Sequence, residues 1–415
     1  MIKLIDNTRI SKFNFFYMLC IMVYLGYATV FARSLGNITT WGNSFALIIT
    51  AVLIYVNKIR FNKVYFISIG IFLAYALATT INNGLASPMW IGQWSIWLTI
   101  TYCINYTFKE KLFVVFETQM YYLCIVSLVC WLIHIISPAT MENIVSTFQF
   151  SIPHGGDESN VLGNIIFYTI NRGDINEYTF VIRNAGFAWE PGAYASYICL
   201  AIFCNSLRTN LELRKNKPLI IFIITLFSTQ STTGFATFLF MIGVWLIINR
   251  KIWLAFILIP VGIYMFQLPF VQDKILNEYN NIEYVNLSQT SSKGTYALGR
   301  MYSFILNWEE FLRHPIIGLG GWQGGTWLNR FGYDNIATIS GIGEMLAMYG
   351  AIMTSLFLYL LIKSSRFIAR TMSKNGYLLI VALIGMMFSY SMWRHPIYIC
   401  FWMYAIYYPY KKVKQ

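Results

Sequence analysis

Residues 112–136 read LFVVFETQMYYLCIVSLVCWLIHII, an apolar run whose only formal charge is Glu117. A helix that crosses a bilayer needs about 20 predominantly apolar residues, so this stretch predicts a membrane span. Working outward, similar runs precede it at 13–32, 41–56, 64–81 and 89–106. Others follow at 188–206, 218–232, 234–249, 252–270, 337–362, 377–393 and 396–410. The expectation is an all-α, polytopic transmembrane helix bundle of about twelve spans. Ser228-Thr229-Gln230-Ser231-Thr232-Thr233-Gly234 interrupts two of the runs and reads either as a tight outer turn or as a helix break. Composition agrees: 57% of residues are hydrophobic and 18% aromatic, and only 11% are charged, against about 25% charged in a soluble domain. That excludes a soluble globular enzyme, a disordered chain and a secreted disulfide scaffold. The net charge of +13 does not point to nucleic acid, because the basic residues lie between apolar runs and not on one face of a soluble domain.

Lys and Arg are retained on the cytoplasmic side of inserted helices, which orients the bundle. With an inner N-terminus, 21 of the 30 basic residues fall inside. Arg33, Arg172, Arg183, Lys274, Lys293, Arg300, Arg313, Arg330 and Arg394 fall outside. Both termini are then cytoplasmic. Val30-Phe31-Ala32 after the first run also fits a signal-peptide cleavage site, but the apolar stretch is long for that and is read as an uncleaved helix. The organisation that follows is helices one to five over 1–136, a long outer loop over 137–187 and helices six to nine over 188–270. A second long outer loop spans 271–336, and the last three helices and an inner tail span 337–415. The two halves show no internal repeat of the kind many transporters carry.

Long segments outside a bundle are where function concentrates. Seven of the nine outer basic residues are Arg, whose planar fork suits bidentate phosphate contacts. Outer acids such as Glu309 and Glu310 are their competing, purely structural partners. At the entry to the sixth run, Arg183-Asn184-Ala185-Gly186-Phe187-Ala188-Trp189-Glu190-Pro191-Gly192 places a carboxylate where a helix begins. Pro in the first turn and an acid near the dipole make structural sense. The same carboxylate, seven residues after an Arg at the membrane edge, also suits a base or a clamp.

A second constellation runs from Gly299-Arg300 to Gly350 and includes Arg313-His314-Pro315-Ile316-Ile317-Gly318-Leu319-Gly320-Gly321. Its glycines allow backbone N–H groups to converge on an anion, although such a turn is also simply a turn. Glu344 lies about two turns into the tenth run, where a buried carboxylate needs a partner. Arg330 and Arg394 are close enough in the chain to join an outer site, and His134 reads as a packed, hydrogen-bonded histidine. No histidine spacing supports a metal, no cofactor is implied, and the seven cysteines form no disulfide framework or metal motif.

Taken in order, Arg183-x-x-Gly186-x-x-x-Glu190-Pro191, Ser231-Thr232-Thr233-Gly234, His314-Pro315-x-x-Gly318-x-Gly320 and Gly343-Glu344-Met345-Leu346 with Tyr349-Gly350 resemble the O-antigen polymerase and O-antigen ligase superfamily of bacterial envelope glycosyltransferases. The resemblance covers most of the chain. It implies an inner-membrane enzyme of lipopolysaccharide and surface-polysaccharide biosynthesis. Donor and acceptor are oligosaccharides carried on undecaprenyl pyrophosphate in the membrane lipid at the periplasmic face, and a chain-length regulator is a possible partner. It also implies direct, inverting glycosyl transfer without a metal or a nucleotide sugar. Ligases of the superfamily carry a His just before an Asn late in the second loop, where this chain has Tyr333-Asp334-Asn335. The resemblance therefore favours polymerase over ligase, and a lipid-linked oligosaccharide flippase is the competing class.

Glycosyl transfer needs the departing pyrophosphate stabilised and the acceptor hydroxyl deprotonated. The expected catalytic residues are Arg183 and Glu190. Arg300, Arg313, His314, Gly318, Gly320, Arg330, Glu344 and Arg394 are expected to bind substrate.

Overall fold

A computed structural model describes residues 10–24, 41–83, 88–147, 150–154, 157–164, 166–171, 182–254, 256, 260, 262, 263, 267, 272, 296, 297, 299–321, 326–330, 332 and 336–408. Its helices follow the apolar runs. They are α1 (Lys12–Tyr24), α2 (Trp41–Asn57), α3 (Lys63–Asn83), α4 (Pro88–Phe108) and α5 (Lys111–Ile136), then α6 (Pro138–Thr147) in the first long loop. After them come α7 (Pro191–Thr209), α8 (Lys217–Ser228), α9 (Thr232–Ile248), α10 (Arg300–Arg313), α11 (Trp327–Arg330), α12 (Gly341–Thr371), α13 (Leu378–Met387), α14 (Pro396–Trp402) and α15 (Tyr404–Tyr407). Among the described residues, Lys63–Asn82, Lys111–Ile136 and Gly341–Thr371 are long and apolar enough to cross a membrane, and shorter apolar helices accompany them. The molecule is a helical membrane protein.

Two features differ from the sequence expectation, and the ninth run, 252–270, lies mostly outside the described residues, as do the ends of the first and last. The long loops carry small sheets. Phe150–His154, Asp157–Asn164 and Thr169–Asn171 form an antiparallel sheet β1-β2-β3, and Tyr296–Ala297 (β4) pairs in parallel with Ile336–Ala337 (β5). The run at 377–393 stops being helical at Met387, because Phe388-Ser389-Tyr390-Ser391 turns the chain before α14.

Helix α7 is the axis of the bundle. Every residue from Pro191 to Leu207 is buried, packed against α5, α8, α9 and α13. Its residues Gly192, Ala193, Ala195, Ser196 and Ala201 are small, which lets neighbouring backbones approach closely, as membrane helices require. A Cβ on Gly234 of α9 would lie 2.7 Å from that of Ala195. The polar joint at 228–234 is a tight turn. Thr229 closes α8, Ser231 caps α9 by accepting from the Gly234 amide at 3.2 Å, and Thr233 bonds Ser389 at 2.6 Å.

Both carboxylates foreseen inside spans are partnered. Glu117 of α5 is ion-paired with Arg208 of α7 at 2.6 Å and accepts from Asn205 at 2.7 Å. Glu344 of α12 is ion-paired with Arg394 and accepts from Ser391. His134 is hydrogen-bonded to the buried Tyr168 at 3.0 Å, which ties α5 to the chain just before β3.

Helix α12 is broken at Gly350, whose φ of 63° and ψ of −174° leave the helical region. A break inside a bilayer strands backbone polar groups that lipid cannot satisfy. The segment 315–320 satisfies them. The Leu319 and Gly320 amides donate to the Ala347 and Met348 carbonyls at 3.1 and 2.8 Å, while Ala351 and Ile352 donate to the Pro315 and Ile316 carbonyls at 2.8 and 3.1 Å. Gly318 and Gly350 face each other so closely that a Cβ on Gly318 would stand 2.5 Å from the Gly350 nitrogen.

Candidate functional site

Helices α7, α9, α12 and α14 all begin at the end of the bundle that the basic-residue pattern assigns to the outside. Glu190, Ser231, Ser340 and His395 stand at their N-caps. Helix N-termini carry partial positive charge, so this end already favours anions before any side chain is counted. The chain feeding α7 is docked here by its backbone. The Asn184 amide donates to the Ser228 carbonyl at 2.9 Å, and the Asn184 side chain donates to the Ser228 hydroxyl at 3.0 Å. Gly186 follows at a φ of 52°, with the Tyr194 ring 2.5 Å from where its Cβ would be, so the tight return towards Glu190 requires glycine.

This docking carries Arg183 onto the carbonyls at the end of α8. Its Nε and Nη2 donate to the Thr229 and Gln230 carbonyls at 3.2 and 3.4 Å, an arrangement in which the dipole favours a cation. Arg300, at the first position of α10, donates from Nη2 to the Tyr390 hydroxyl at 2.8 Å and stacks over that ring at 5.3 Å. The same hydroxyl is hydrogen-bonded to Glu190, and Arg183 lies within electrostatic range of it. Burial pushes the Tyr390 phenol well up from its ordinary value, Arg300 and Arg183 oppose, and Glu190 adds to the rise. The phenol donates to Glu190 and accepts from Arg300. A methyl at Gly192 would collide with its oxygen.

The next residues of the same turn hold a second pair. Ser391 donates to Glu344, Arg394 is ion-paired with Glu344, and Arg394 stacks on Trp393 at 4.7 Å. Trp393 in turn donates to the Gly341 carbonyl at 3.1 Å, at the start of α12. His395 is buried and bonded to Tyr197 at 2.9 Å, which anchors the start of α14 on α7.

Arg183, Glu190 and Arg300 thus come together around Tyr390, with Arg394 and Glu344 one turn away. Arg313, His314 and Arg330 do not join them. They converge on Glu310, at 3.8, 3.9 and 3.3 Å. Glu310 lies ten residues along α10 from Arg300, about 15 Å at helical rise. Glu310 is 4% exposed, so it is the structural partner that the acid-rich loop offered. The expected anion nest at Gly318 and Gly320 is not formed in this structure. The Gly318 and Gly320 amides donate to the His314 and Met348 carbonyls, so the turn serves to mend the broken α12.

Tyr390 and Ser391 escape a reading based on charge. Their signal in the sequence is the polar interruption Ser389-Tyr390-Ser391 between two strongly apolar helices. Among the described residues no three His, Cys, Asp or Glu side chains lie together as a metal site requires. Tyr333-Asp334-Asn335, the segment that bears on polymerase against ligase, lies outside the described residues.

A family model described as O-antigen ligase matches residues 218–346, from α8 through the second long loop into the start of α12. The match supports a place in the O-antigen polymerase and ligase superfamily and a glycosyltransferase-type function in O-antigen biosynthesis, without separating polymerase from ligase. No curated protein matches the chain.

Proposed function

We propose that this protein is a surface-polysaccharide polymerase of the inner membrane. It transfers a growing glycan from undecaprenyl pyrophosphate to the next lipid-linked repeat unit at the periplasmic face. The observation that carries the reading is the grouping of Arg183, Arg300, Glu190 and Tyr390 where several helix N-termini meet. In the reaction an acceptor hydroxyl attacks the anomeric carbon of the donor, the bond to the pyrophosphate oxygen breaks with inversion, and the hydroxyl proton is removed. Arg183 and Arg300 meet the charge that builds on the leaving pyrophosphate, which preorganised cations do best where water is scarce. Glu190 takes the proton or orients the hydroxyl, held for that by Tyr390. Arg394 is oriented by Glu344 and widens the positive rim.

Ligase is the second reading, favoured by the description of the matching family. Against it stands Tyr333-Asp334-Asn335, which holds no His where ligases of the superfamily carry one just before an Asn. The test is to incubate the purified protein in lipid with undecaprenyl pyrophosphate-linked repeat units and neither nucleotide sugar nor added metal. A ladder of lipid-linked oligomers, lost in Arg183→Ala, is expected. No ladder, but transfer once lipid A core is supplied, makes it a ligase. No product in either case, with lipid-linked glycan crossing the bilayer, makes it a flippase. Full activity of Glu190→Gln at saturating substrate overturns the role given to Glu190.

A further inference from the structure

Helix α10 is amphipathic in the wrong sense for a helix on a water-soluble surface. Its protein-facing side is polar: Ser303, Asn307 and Glu310 are buried, at 0%, 5% and 4% exposure. The Ser303 hydroxyl accepts from the Ile339 amide at 3.1 Å, and Asn307 accepts from Thr338. Its open side is apolar, with Met301, Trp308 and Leu312 at 45%, 42% and 59% exposure. Phe304 and Phe311 stand between these two sides, their rings 6.3 and 5.2 Å from that of Trp308. At 3.6 residues per turn, the remaining third of the circumference carries Tyr302, Leu306, Glu309 and Arg313, of which Glu309 and Arg313 are exposed. One helix therefore offers three different surfaces, to protein, to an apolar medium and to water. The edge of a bilayer supplies the last two side by side.

The apolar surface is continuous at both ends with the flanks of the apolar helices. Phe304 lies 6.3 Å from Phe388, which follows α13 and is 43% exposed. Beyond the other end, Ile316 is 64% exposed and its carbonyl accepts from Ile352 of α12, itself 54% exposed. We infer that α10 lies in the plane of the membrane–water interface, with Met301, Phe304, Trp308, Phe311 and Leu312 against the acyl chains of the leaflet and Glu309 and Arg313 in the aqueous layer. The helix then sets the depth of Arg300, its first residue, at the level of lipid head groups. Anionic head groups reach that guanidinium along the membrane plane. The inference stands on the faces of α10 and holds whether or not the chain transfers glycans.

The test uses the full chain in vesicles of phosphatidylethanolamine and phosphatidylglycerol, with single nitroxide labels at Met301→Cys, Glu309→Cys and Leu312→Cys. The native cysteines are buried except Cys130, which is half-buried, so a Cys130→Ser background isolates the labels. Collision with oxygen relative to a water-soluble nickel complex is expected to be several-fold higher at 301 and 312 than at 309. As a cysteine-independent measure, lipid brominated on its acyl chains is expected to quench a fraction of the tryptophan emission that Trp308→Phe removes. Equal ratios at the three positions, with no such quenching, overturn the inference in favour of a face in water. Spin–spin broadening at 312 overturns it in favour of a face between two copies of the chain.

Discussion

Replacing Tyr390 by Phe keeps the ring beneath Arg300 and removes one oxygen, the atom that accepts from Arg300 at 2.8 Å and is hydrogen-bonded to Glu190. Each of these bonds joins a neutral hydroxyl to a charged group, a class worth about 1.5–3 kcal/mol. Loss of the positioning they provide is expected to raise the barrier by about 2–3 kcal/mol, a fall in kcat of roughly 30- to 150-fold. KM should change far less, because Arg183 and its carbonyl anchors are untouched. The assay is the initial rate of lipid-linked oligomer formation against substrate concentration, with thermal unfolding in detergent as the control on folding. Gly192→Ala is an independent route to the same displacement, because its new methyl would occupy the space of the Tyr390 oxygen. A Tyr390→Phe protein whose kcat is within twofold of the unaltered chain would refute the idea that this phenol organises the site.

Arg394→Ala removes the ion-pair partner of Glu344, which is 6% exposed. The expected cost is about 3–5 kcal/mol, read by denaturant unfolding in micelles, with much of it recovered in the Glu344→Gln/Arg394→Ala double variant. Arg313→Ala and Arg330→Ala each leave another cation on Glu310. Because both guanidiniums are nearly half exposed, each change alone should cost less than about 1 kcal/mol. The double variant should exceed the sum, and a simple sum in the double-mutant cycle would deny the shared carboxylate. Gly350→Ala forces a Cβ onto a backbone with φ of 63°, 2.5 Å from the Gly318 nitrogen, and is expected to abolish folded expression. Gly70→Ala, which meets nothing within 4 Å, should be neutral or stabilising by up to about 1 kcal/mol. Equal yields of the two variants would contradict the docking of the two glycines.

The helices were legible because a membrane span must be long, apolar and self-satisfied in its backbone, and each of these demands is written locally. Where the demand is met by another part of the chain, local reading falls short. The run ending at Trp393 looked helical because Met392 and Trp393 are apolar, yet α13 stops early so that Tyr390 and Ser391 can face Arg300 and Glu344. Similarly, α12 reads as one uninterrupted span, and its break at Gly350 is tolerated only because residues 315–320 bond both sides of it. The small sheet after α6 leaves no such local signal, because its strands are short and lie between long helices that dominate the pattern.

The candidate site divides along the same line. Arg183, Glu190, Arg300, Glu344 and Arg394 were legible from the sequence, because a charge at the edge of an apolar run needs a reason to be there. Charge does not say which cation meets which anion. Arg300 and Arg313 begin and end one helix, yet the first meets Tyr390 and the second meets Glu310, because a rigid helix holds its ends about 20 Å apart. Sequence alone determined a helical membrane protein with two long loops that carry five arginines between them and a carboxylate at the start of α7. Tertiary structure alone decided that Tyr390 joins Arg300 to Glu190 and that the glycines at 318 and 350 mend one broken helix. The physical reason is range: hydropathy and helical period act within about twenty residues, whereas these contacts join positions tens to hundreds of residues apart that only packing brings together.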